Sequence, residues 1–346
     1  MQNFLKRLGI ELPVVQAPMA GVQTSALAVA VCNAGGLGSL PCAMLGPDAL
    51  RTELAAMESR TSRPYNVNFF CHVSPTPDPK REAAWRKVLA PYYRELGIDA
   101  ENVSTGPSRA PFSQEAADVL NEFKPRVVSF HFGLPAPALL GRLKAWNPII
   151  LASATTVDEA RWLEAHGVDV IIAQGLEAGG HRGHFLSTDL TAQMGTLALV
   201  PQIRRTVKVP VIATGGIADA RGVAAALALG ADAAQVGTAY LLCPESTASP
   251  VHRAALISHA ASHTALTNLF SGGAARGIMN KAMRELGPMS NLAPSFPLAA
   301  AAMAPLRSKA EAGGSGDFSP LWAGQNTSGC KEISAAQLTT ELSRNV

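Results

Sequence analysis

Short runs of apolar residues recur along the first two thirds of the chain, and stretches with a helical spacing of apolar positions separate them. Several of these runs are continuous rather than alternating, which is typical of strands buried on both faces. The predicted strands span residues 14–19, 36–41, 65–70, 126–132, 149–155, 169–175, 209–216 and 233–239.

Helices are predicted where the apolar residues follow a 3.6-residue period. They span residues 25–35, 48–57, 81–96, 113–123, 136–146, 156–167, a segment after 190 that ends near Val207, and 219–230. Thr156 and Glu159 fit a capping box, and Gly167 is placed to end that helix. The strict alternation of strand and helix points to a (β/α)8 TIM-like barrel or a doubly wound sheet.

The alternation breaks after the eighth predicted strand. Residues 241–290 are rich in Ala, His and Ser and become strand-like at 267–279, which predicts a small inserted α/β cap domain. The barrel is then expected to comprise residues 1–240 and 291–346, with a short helix at the end of this C-terminal extension.

Composition narrows the class of partner. The 346 residues are 47% hydrophobic, 16% charged and 5% aromatic, which favours tightly packed helices and parallel strands. The formal charge is +3 and no run of Lys and Arg forms a nucleic-acid patch, so at most small anionic ligands are favoured. The five cysteines are scattered without a CxxC pair, which argues against a disulfide framework or a zinc ribbon.

The N-terminal residues lack the apolar core of a signal peptide, and no apolar run is long enough to span a bilayer. A cytoplasmic protein with reduced thiols and no membrane partner is therefore expected.

Chemically informative residues fall at the carboxyl ends of the predicted strands, where barrel enzymes place their sites. Gly215 and Gly216 lie at the end of the seventh predicted strand, and Gly237 and Thr238 lie at the end of the eighth. Backbone N–H groups and a helix N-terminus at these two turns can hold a phosphate. The alternative is that the glycines only tighten the turns.

The segment "QGLEAGGHRGHF" (174–185) places two glycines directly before a histidine. Three interpretations compete: a tight turn with an incidental histidine, a metal site, or a backbone pressed against a flat ligand. His181 and His184 have the spacing of metal ligands, but no carboxylate or cysteine nearby completes the set. Gly179 and Gly180 allow close approach to a ligand because neither has a Cβ atom.

A flat ring whose phosphate lies at the last two strands reaches the mouths of the sixth and fourth strands, and flavin mononucleotide (FMN) has that shape. Pro18 and Met19, at the end of the first predicted strand, are placed to exclude water from the other side of such a ring. His131 and His181 then face the same centre, although each has a structural alternative. The sequence has no GxxxxGK[ST] loop, GxSxG elbow or HExxH motif.

Six motifs together resemble the class I nitronate monooxygenases, formerly called 2-nitropropane dioxygenases. They are "QAPMAG", "SFHFGLP", "QGLEAGGHRGHF", "ATGGIAD", "QVGTAYLLCPES" and "FSPLWAGQ", in the family's order between about residue 10 and residue 329. "EAGGH" is also shared with flavin-dependent enoyl-acyl-carrier-protein reductases and some NADH:quinone reductases. "FHFGLP" and "LWAGQ" favour the monooxygenases.

The resemblance implies an FMN-dependent barrel that oxidises alkyl nitronates, such as propionate 3-nitronate, with O2 to carbonyl products and nitrite or nitrate, through one-electron transfer to FMN. It implies that His181 is the active-site histidine, with His131 lining the pocket as a second catalytic candidate. The residues implied to contact FMN are Ala17, Pro18, Met19, Ala20, Gly21, Asn68, Gln174, Gly179, Gly180, Gly215, Gly216, Gly237, Thr238, Trp322, Ala323, Gly324 and Gln325.

One stretch departs from the family pattern. Its members carry a tyrosine and a lysine in a substrate-facing segment, whereas residues 293–309 here contain Phe296 and no tyrosine, and Lys309 is a weak candidate for the lysine. His181 is expected to bind the nitronate through a hydrogen bond or a positive charge, or to remove the α-proton of a neutral nitroalkane.

Two other functions stay open: an NAD(P)H-dependent FMN reductase acting on quinones or enoyl thioesters, and a non-catalytic FMN-binding barrel. The expected partners are a small nitronate anion and O2, without nucleic acid, membrane or metal. A monomer or homodimer is expected.

Overall fold

The structure is a computed structural model, and it describes residues 2–99 and 109–344. Its strands are β1 (Val14–Gln16), β2 (Ser39–Pro41), β3 (Asn66–Phe70), β4 (Val127–His131), β5 (Ile149–Ala154), β6 (Val170–Gln174), β7 (Gly180–His181), β8 (Val211–Thr214), β9 (Ala233–Val236), β10 (Thr264–Thr267) and β11 (Ala275–Ile278). Its helices are α1 (Gln2–Leu8), α2 (Ser25–Asn33), α3 (Pro47–Arg60), α4 (Pro79–Glu95), α5 (Gln114–Phe123), α6 (Pro137–Leu143), α7 (Val157–Ala165), α8 (Thr196–Thr206), α9 (Ala220–Ala228), α10 (Pro250–Ile257), α11 (Lys281–Leu286), α12 (Ala299–Ala312) and α13 (Ala335–Leu342).

Eight parallel strands form the centre of the molecule, in the order β1-β9-β8-β6-β5-β4-β3-β2. A parallel bridge between Val15 and Leu37 brings the two ends of this order together and closes the ring. The chain is therefore a (β/α)8 barrel, and the doubly wound alternative is wrong. All eight predicted strands are confirmed, and their continuous apolar runs reflect burial on both faces.

The predicted ends of α7 are confirmed in part. Thr156 Oγ1 accepts the Glu159 N–H, and Gly167, at φ 80°, follows the helix in the left-handed conformation. The reciprocal half of the capping box is absent, because the buried Glu159 carboxylate accepts the Thr155 N–H and hydroxyl and the N–H groups of Phe185 and Leu186. Glu159 thus ties the chain after β7 to the barrel.

A second layer covers the carboxyl end of the barrel. β10, β11 and β7 form a small antiparallel sheet, so β7, which follows barrel strand β6, belongs to the covering layer. Beside it, α4, α11 and α12 pack around a separate hydrophobic core. This second core contains Trp85, Leu89, Tyr93, Leu269, Phe270, Met283, Met303, Leu306 and Phe318, and thus takes residues from both sides of the expected boundary at residue 290.

Among the helices of residues 2–99 and 109–344, none combines the length and the apolar character needed to cross a membrane.

Candidate active site

A cavity opens at the carboxyl ends of the barrel strands, beneath the second layer, and most of the predicted site residues line it. Those that do are Ala17, Pro18, Met19, Ala20, Asn68, His131, Gln174, Gly179, Gly180, His181, Gly215, Gly216, Gly237, Thr238, Trp322 and Gly324.

Three predicted residues lie outside the cavity wall. Gly21 is exposed to solvent. Ala323 is buried behind Gly179. A Cβ atom on Gly179 would lie 2.6 Å from the carbonyl carbon and 3.0 Å from the Cα atom of Ala323. Gln325 is exposed, and its N–H donates to the Glu177 carbonyl. In this segment, alternate residues face the cavity.

The cavity wall also contains residues that sequence reasoning missed. They are Val22, Phe70, Arg109, Ser153, Ile172, Ala178, Thr214, Ile217, Gln235, Leu241, His252 and Asn326. Ile172 could have been predicted from the sequence, because it lies two positions before Gln174 on the same strand and therefore on the same face. Arg109 and His252 come from outside the repeating barrel strands, and no local pattern marks them.

Two turns present backbone donors to one end of the cavity. Gly215 (φ 121°) and Gly216 (φ 71°) follow β8, while Gly237 and Thr238 follow β9. Across the two described ranges, the N–H groups of these four residues donate no hydrogen bond to the protein. Free N–H groups on neighbouring strand ends are suited to bind an anionic oxygen.

Gly179 and Gly180 serve two different purposes. A Cβ on Gly179 would lie 2.5 Å from the Gly324 nitrogen, so Gly179 permits two segments of the protein itself to pack together. A Cβ on Gly180 would meet no heavy atom within 4 Å, although φ is 72° there. Gly180 therefore has open space at its Cβ position and lines the cavity, whereas Gly179 is required by the fold.

His131 uses both ring nitrogens within the protein. Its Nε2 lies 3.1 Å from the His181 carbonyl oxygen and its Nδ1 lies 2.9 Å from Ser153 Oγ. A carbonyl only accepts, so Nε2 carries the proton and Nδ1 accepts from the serine. Burial lowers the pKa of His131 to about 4, so the ring is neutral near pH 7. This geometry suits a residue that positions β7.

His181 is half-buried, with its ring exposed to the cavity. Its Nε2 lies 2.8 Å from Ser271 Oγ, which comes from the loop between β10 and β11. Burial, followed by the nearby positive charge of Arg109 and by His131, holds the pKa of His181 well below its usual range. His181 is therefore neutral near pH 7, and its Nδ1 makes no hydrogen bond within the described residues.

The segment that carries His181 is fixed by buried polar side chains. Gln174 Nε2 donates to the His181 carbonyl (3.0 Å), and Gln174 Oε1 accepts the Gly183 N–H (2.8 Å). Arg182, which is fully buried, donates to the carbonyls of Gln174 and Gly175 and to Gln193 Oε1. The backbone around His181 is thereby held from both sides.

The residues flanking this segment have structural roles. The Glu177 carboxylate accepts the Thr196 N–H and hydroxyl at the start of α8, so it fixes that helix and makes no hydrogen bond to His181. In the structurally described ranges, no group of three or more His, Cys, Asp or Glu side chains is placed to hold a metal ion.

Aromatic rings from the barrel strand ends and from the covering layer surround His181. Phe296 lies 5.0 Å and Trp322 lies 5.5 Å from the His181 ring, centroid to centroid, and Phe70 and Phe132 lie just beyond 6 Å. Phe296 occupies the stretch where the family pattern has a tyrosine. Lys309 is exposed and does not line the cavity.

Comparison with known proteins gives a consistent result over the full length. A family model described as nitronate monooxygenase matches residues 2–345. The chain is 42% identical to a nitronate monooxygenase of Paraburkholderia phytofirmans, covering 99% of this chain and 94% of that protein. It is also 42% identical to one of Pseudomonas aeruginosa, covering 98% and 97%. A solved nitroalkane oxidase from Streptomyces ansochromogenes superposes with a TM-score of 0.88 at 37% identity, covering 98% and 96%.

The buried histidines predict how stability depends on pH. Burial lowers the pKa of both His131 and His252 to about 4, whereas an unfolded histidine titrates near pH 6.5. Between these values the unfolded chain binds more protons, so stability falls as the pH drops, by up to about 1.4 kcal/mol per pH unit for each histidine. In urea denaturation between pH 6 and 4.5, the free energy of unfolding of His252→Gln should fall less steeply with decreasing pH than that of the wild type. An equal pH dependence of stability in the two proteins would contradict the contribution assigned to His252.

Proposed function

The chain belongs to the nitronate monooxygenase family, and from that premise we propose that it is an FMN-dependent enzyme that oxidises alkyl nitronates with O2. The observation that carries the proposal is that one cavity joins the four free N–H groups after β8 and β9 to the ring of His181. The products would be carbonyl compounds with nitrite or nitrate. The cytoplasmic location and the monomeric or dimeric state stay predictions.

The cavity suits FMN at both ends. The N–H groups of Gly215, Gly216, Gly237 and Thr238 would hold the phosphate near the N-terminus of α9. Gly180 leaves room for a flat ring. Gln235 lines the cavity and has a buried Oε1 without a hydrogen-bond partner in the described residues, which gives a ribityl hydroxyl or a ring N–H an acceptor. The sequence lacks a dinucleotide fingerprint, which favours FMN over FAD.

FMN, when bound, would supply the electron acceptor of the reaction. The chain itself would orient the substrate and control its proton. Ser271 holds His181 Nε2, so Nδ1 is the nitrogen left to meet a ligand in the cavity. As a neutral ring with its proton on Nε2, His181 would take the α-proton of a nitroalkane on Nδ1. In the other tautomer, Nε2 would accept from Ser271 Oγ and the Nδ1–H would donate to an oxygen of a nitronate. Phe70 and Trp322 would exclude water from this position.

The function is tested by oxygen uptake. With propionate 3-nitronate and no nicotinamide, the purified protein should consume O2 and form nitrite or nitrate. Anaerobic mixing with NADH should leave its flavin oxidised, because the proposed reaction draws electrons from the nitronate. Rapid bleaching by NADH without nitronate-dependent oxygen uptake would instead identify a reductase, and bound flavin with neither response would identify a non-catalytic barrel.

Gly180→Ala tests the position of the flat ring. The new methyl group would enter open space in the cavity and should reduce the FMN released on denaturation to a small fraction of the wild-type amount. Gly314→Ala is the matched control, because Gly314 has a similar φ (77° against 72°) and equally open surroundings but is exposed at the end of α12. Both variants carry the same backbone strain, of about 1 kcal/mol. Equal FMN content in the two would place the ring elsewhere.

His181→Asn tests the role of the imidazole. The variant should keep its FMN, since the backbone that lines the cavity is unchanged. The kcat/KM for a neutral nitroalkane should fall by roughly 10²–10⁴-fold, because that substrate needs a proton removed. For the preformed nitronate the loss should be clearly smaller, because no proton has to be removed from carbon. Near-wild-type values for both forms would make His181 a structural residue.

A further inference from the structure

Arg109 is the cation of the cavity wall. Among the described residues that line the cavity, Arg109 has the one guanidinium or ammonium group, and none is an aspartate or a glutamate. The guanidinium carbon lies 6.0 Å from the centroid of the Phe296 ring, within the range of a cation–π contact. Phe296 in turn lies 5.0 Å from His181. Arg109 and His181 therefore both line the cavity, and the Phe296 ring contacts both of them.

The electrostatics of this region depend on Arg109. After burial, the charge of Arg109 has the largest effect that lowers the pKa of His181, and it also lowers the pKa of His72. Both imidazoles are thus neutral near pH 7 and do not supply a positive charge to a ligand. Arg109 keeps its own charge although burial lowers its pKa, because a guanidinium does not deprotonate in this range. Arg109 thus brings a partly desolvated positive charge to the cavity wall, and a positive charge there favours binding of an anion.

His72 adds a second polar group beside the same ring. It packs edge-on against Phe296, 4.9 Å between centroids. It is buried, and neither of its ring nitrogens has a hydrogen-bond partner in the described part of the chain. Polar groups of this kind near a cavity commonly have a ligand or a water molecule as partner.

We propose that Arg109 recognises the anionic head of the substrate, with its guanidinium fork on the two nitronate oxygens and the Phe296 ring supporting the guanidinium. The identity of the anion rests on the proposed function, whereas the presence of an anion site at Arg109 does not. A planar oxyanion matches the parallel N–H groups of an arginine better than the single ammonium of a lysine. Recognition of charge and handling of the proton are then divided between Arg109 and His181.

Steady-state kinetics of three variants test the assignment. Arg109→Gln should raise the KM for a nitronate by roughly tenfold or more, since a hydrogen bond to a charged group is lost. Its KM for the neutral nitroalkane should change far less, because that ground state carries no net charge. Arg109→Lys should fall between the wild type and Arg109→Gln. Arg284→Gln removes an exposed positive charge on α11 away from the cavity and should leave both KM values unchanged.

A binding experiment separates this proposal from the proposed function. Nitrate is a planar oxyanion that is not oxidised, and calorimetry should show that it binds the FMN-loaded wild type and that Arg109→Gln weakens it by roughly tenfold or more. Nitrate should also compete with the nitronate. Arg109-dependent nitrate binding without nitronate turnover would retain the anion site and reject the proposed function.

The opposite pattern would overturn the role of Arg109. In that case the enzyme oxidises nitronates, but Arg109→Gln leaves both the nitronate KM and the nitrate affinity unchanged, or Arg284→Gln changes them equally. If Arg109→Gln fails to fold, the KM values of Arg109→Lys and the competition between nitrate and the nitronate in the wild type test the proposal instead. Failure of nitrate to compete with the nitronate in the wild type would overturn the assignment.

Discussion

The carbonyl oxygen of His181 accepts two hydrogen bonds, from Gln174 Nε2 and from His131 Nε2, and the shape of the cavity depends on this pair. Both donors are largely buried, so losing either bond would leave polar atoms without solvent to replace it. The fully buried Arg182 completes the constraint by bonding the carbonyls at the end of β6. These hydrogen bonds hold the backbone between β6 and β7 in place beside the cavity. An imidazole can then face the cavity at a fixed depth.

The same short segment joins the two layers of the molecule. Gly180 and His181 leave the barrel at β6 and pair with β11 of the covering sheet, while Ser271 from that layer reaches the His181 ring. The segment 322–326 returns from the covering layer to the barrel, where Gly324 N–H bonds Thr238 Oγ1 and Asn326 bonds the Gly216 carbonyl. The site is thus built by chain segments that are far apart in sequence. Neither layer contains a complete site by itself.

The sequence alone predicted the barrel strands well, because continuous apolar runs and helical periods are local signals. The alternation of strand and helix alone could not choose between a barrel and an open sheet, since that depends on the bridge between Val15 and Leu37. The resemblance to the family implied the barrel, and that prediction is confirmed. Motif residues at strand ends were placed at the cavity, but the reason given for Gly179 was incomplete: its lack of a Cβ serves packing against Gly324. Arg109 was missed, because nothing in its local sequence indicates which cavity a distant fold brings it to.

The separation of the second core from the barrel core means that the two ends of the cavity respond to different mutations. The glycine turns after β8 and β9 follow fully buried barrel strands, whereas Phe296 lies in a chain segment between residues of the second core. Changes around Phe296 can therefore alter the surroundings of His181 while the turns after β8 and β9 keep their geometry. Directed evolution of substrate range has a natural target in residues 265–318, and divergence among related enzymes should be concentrated there.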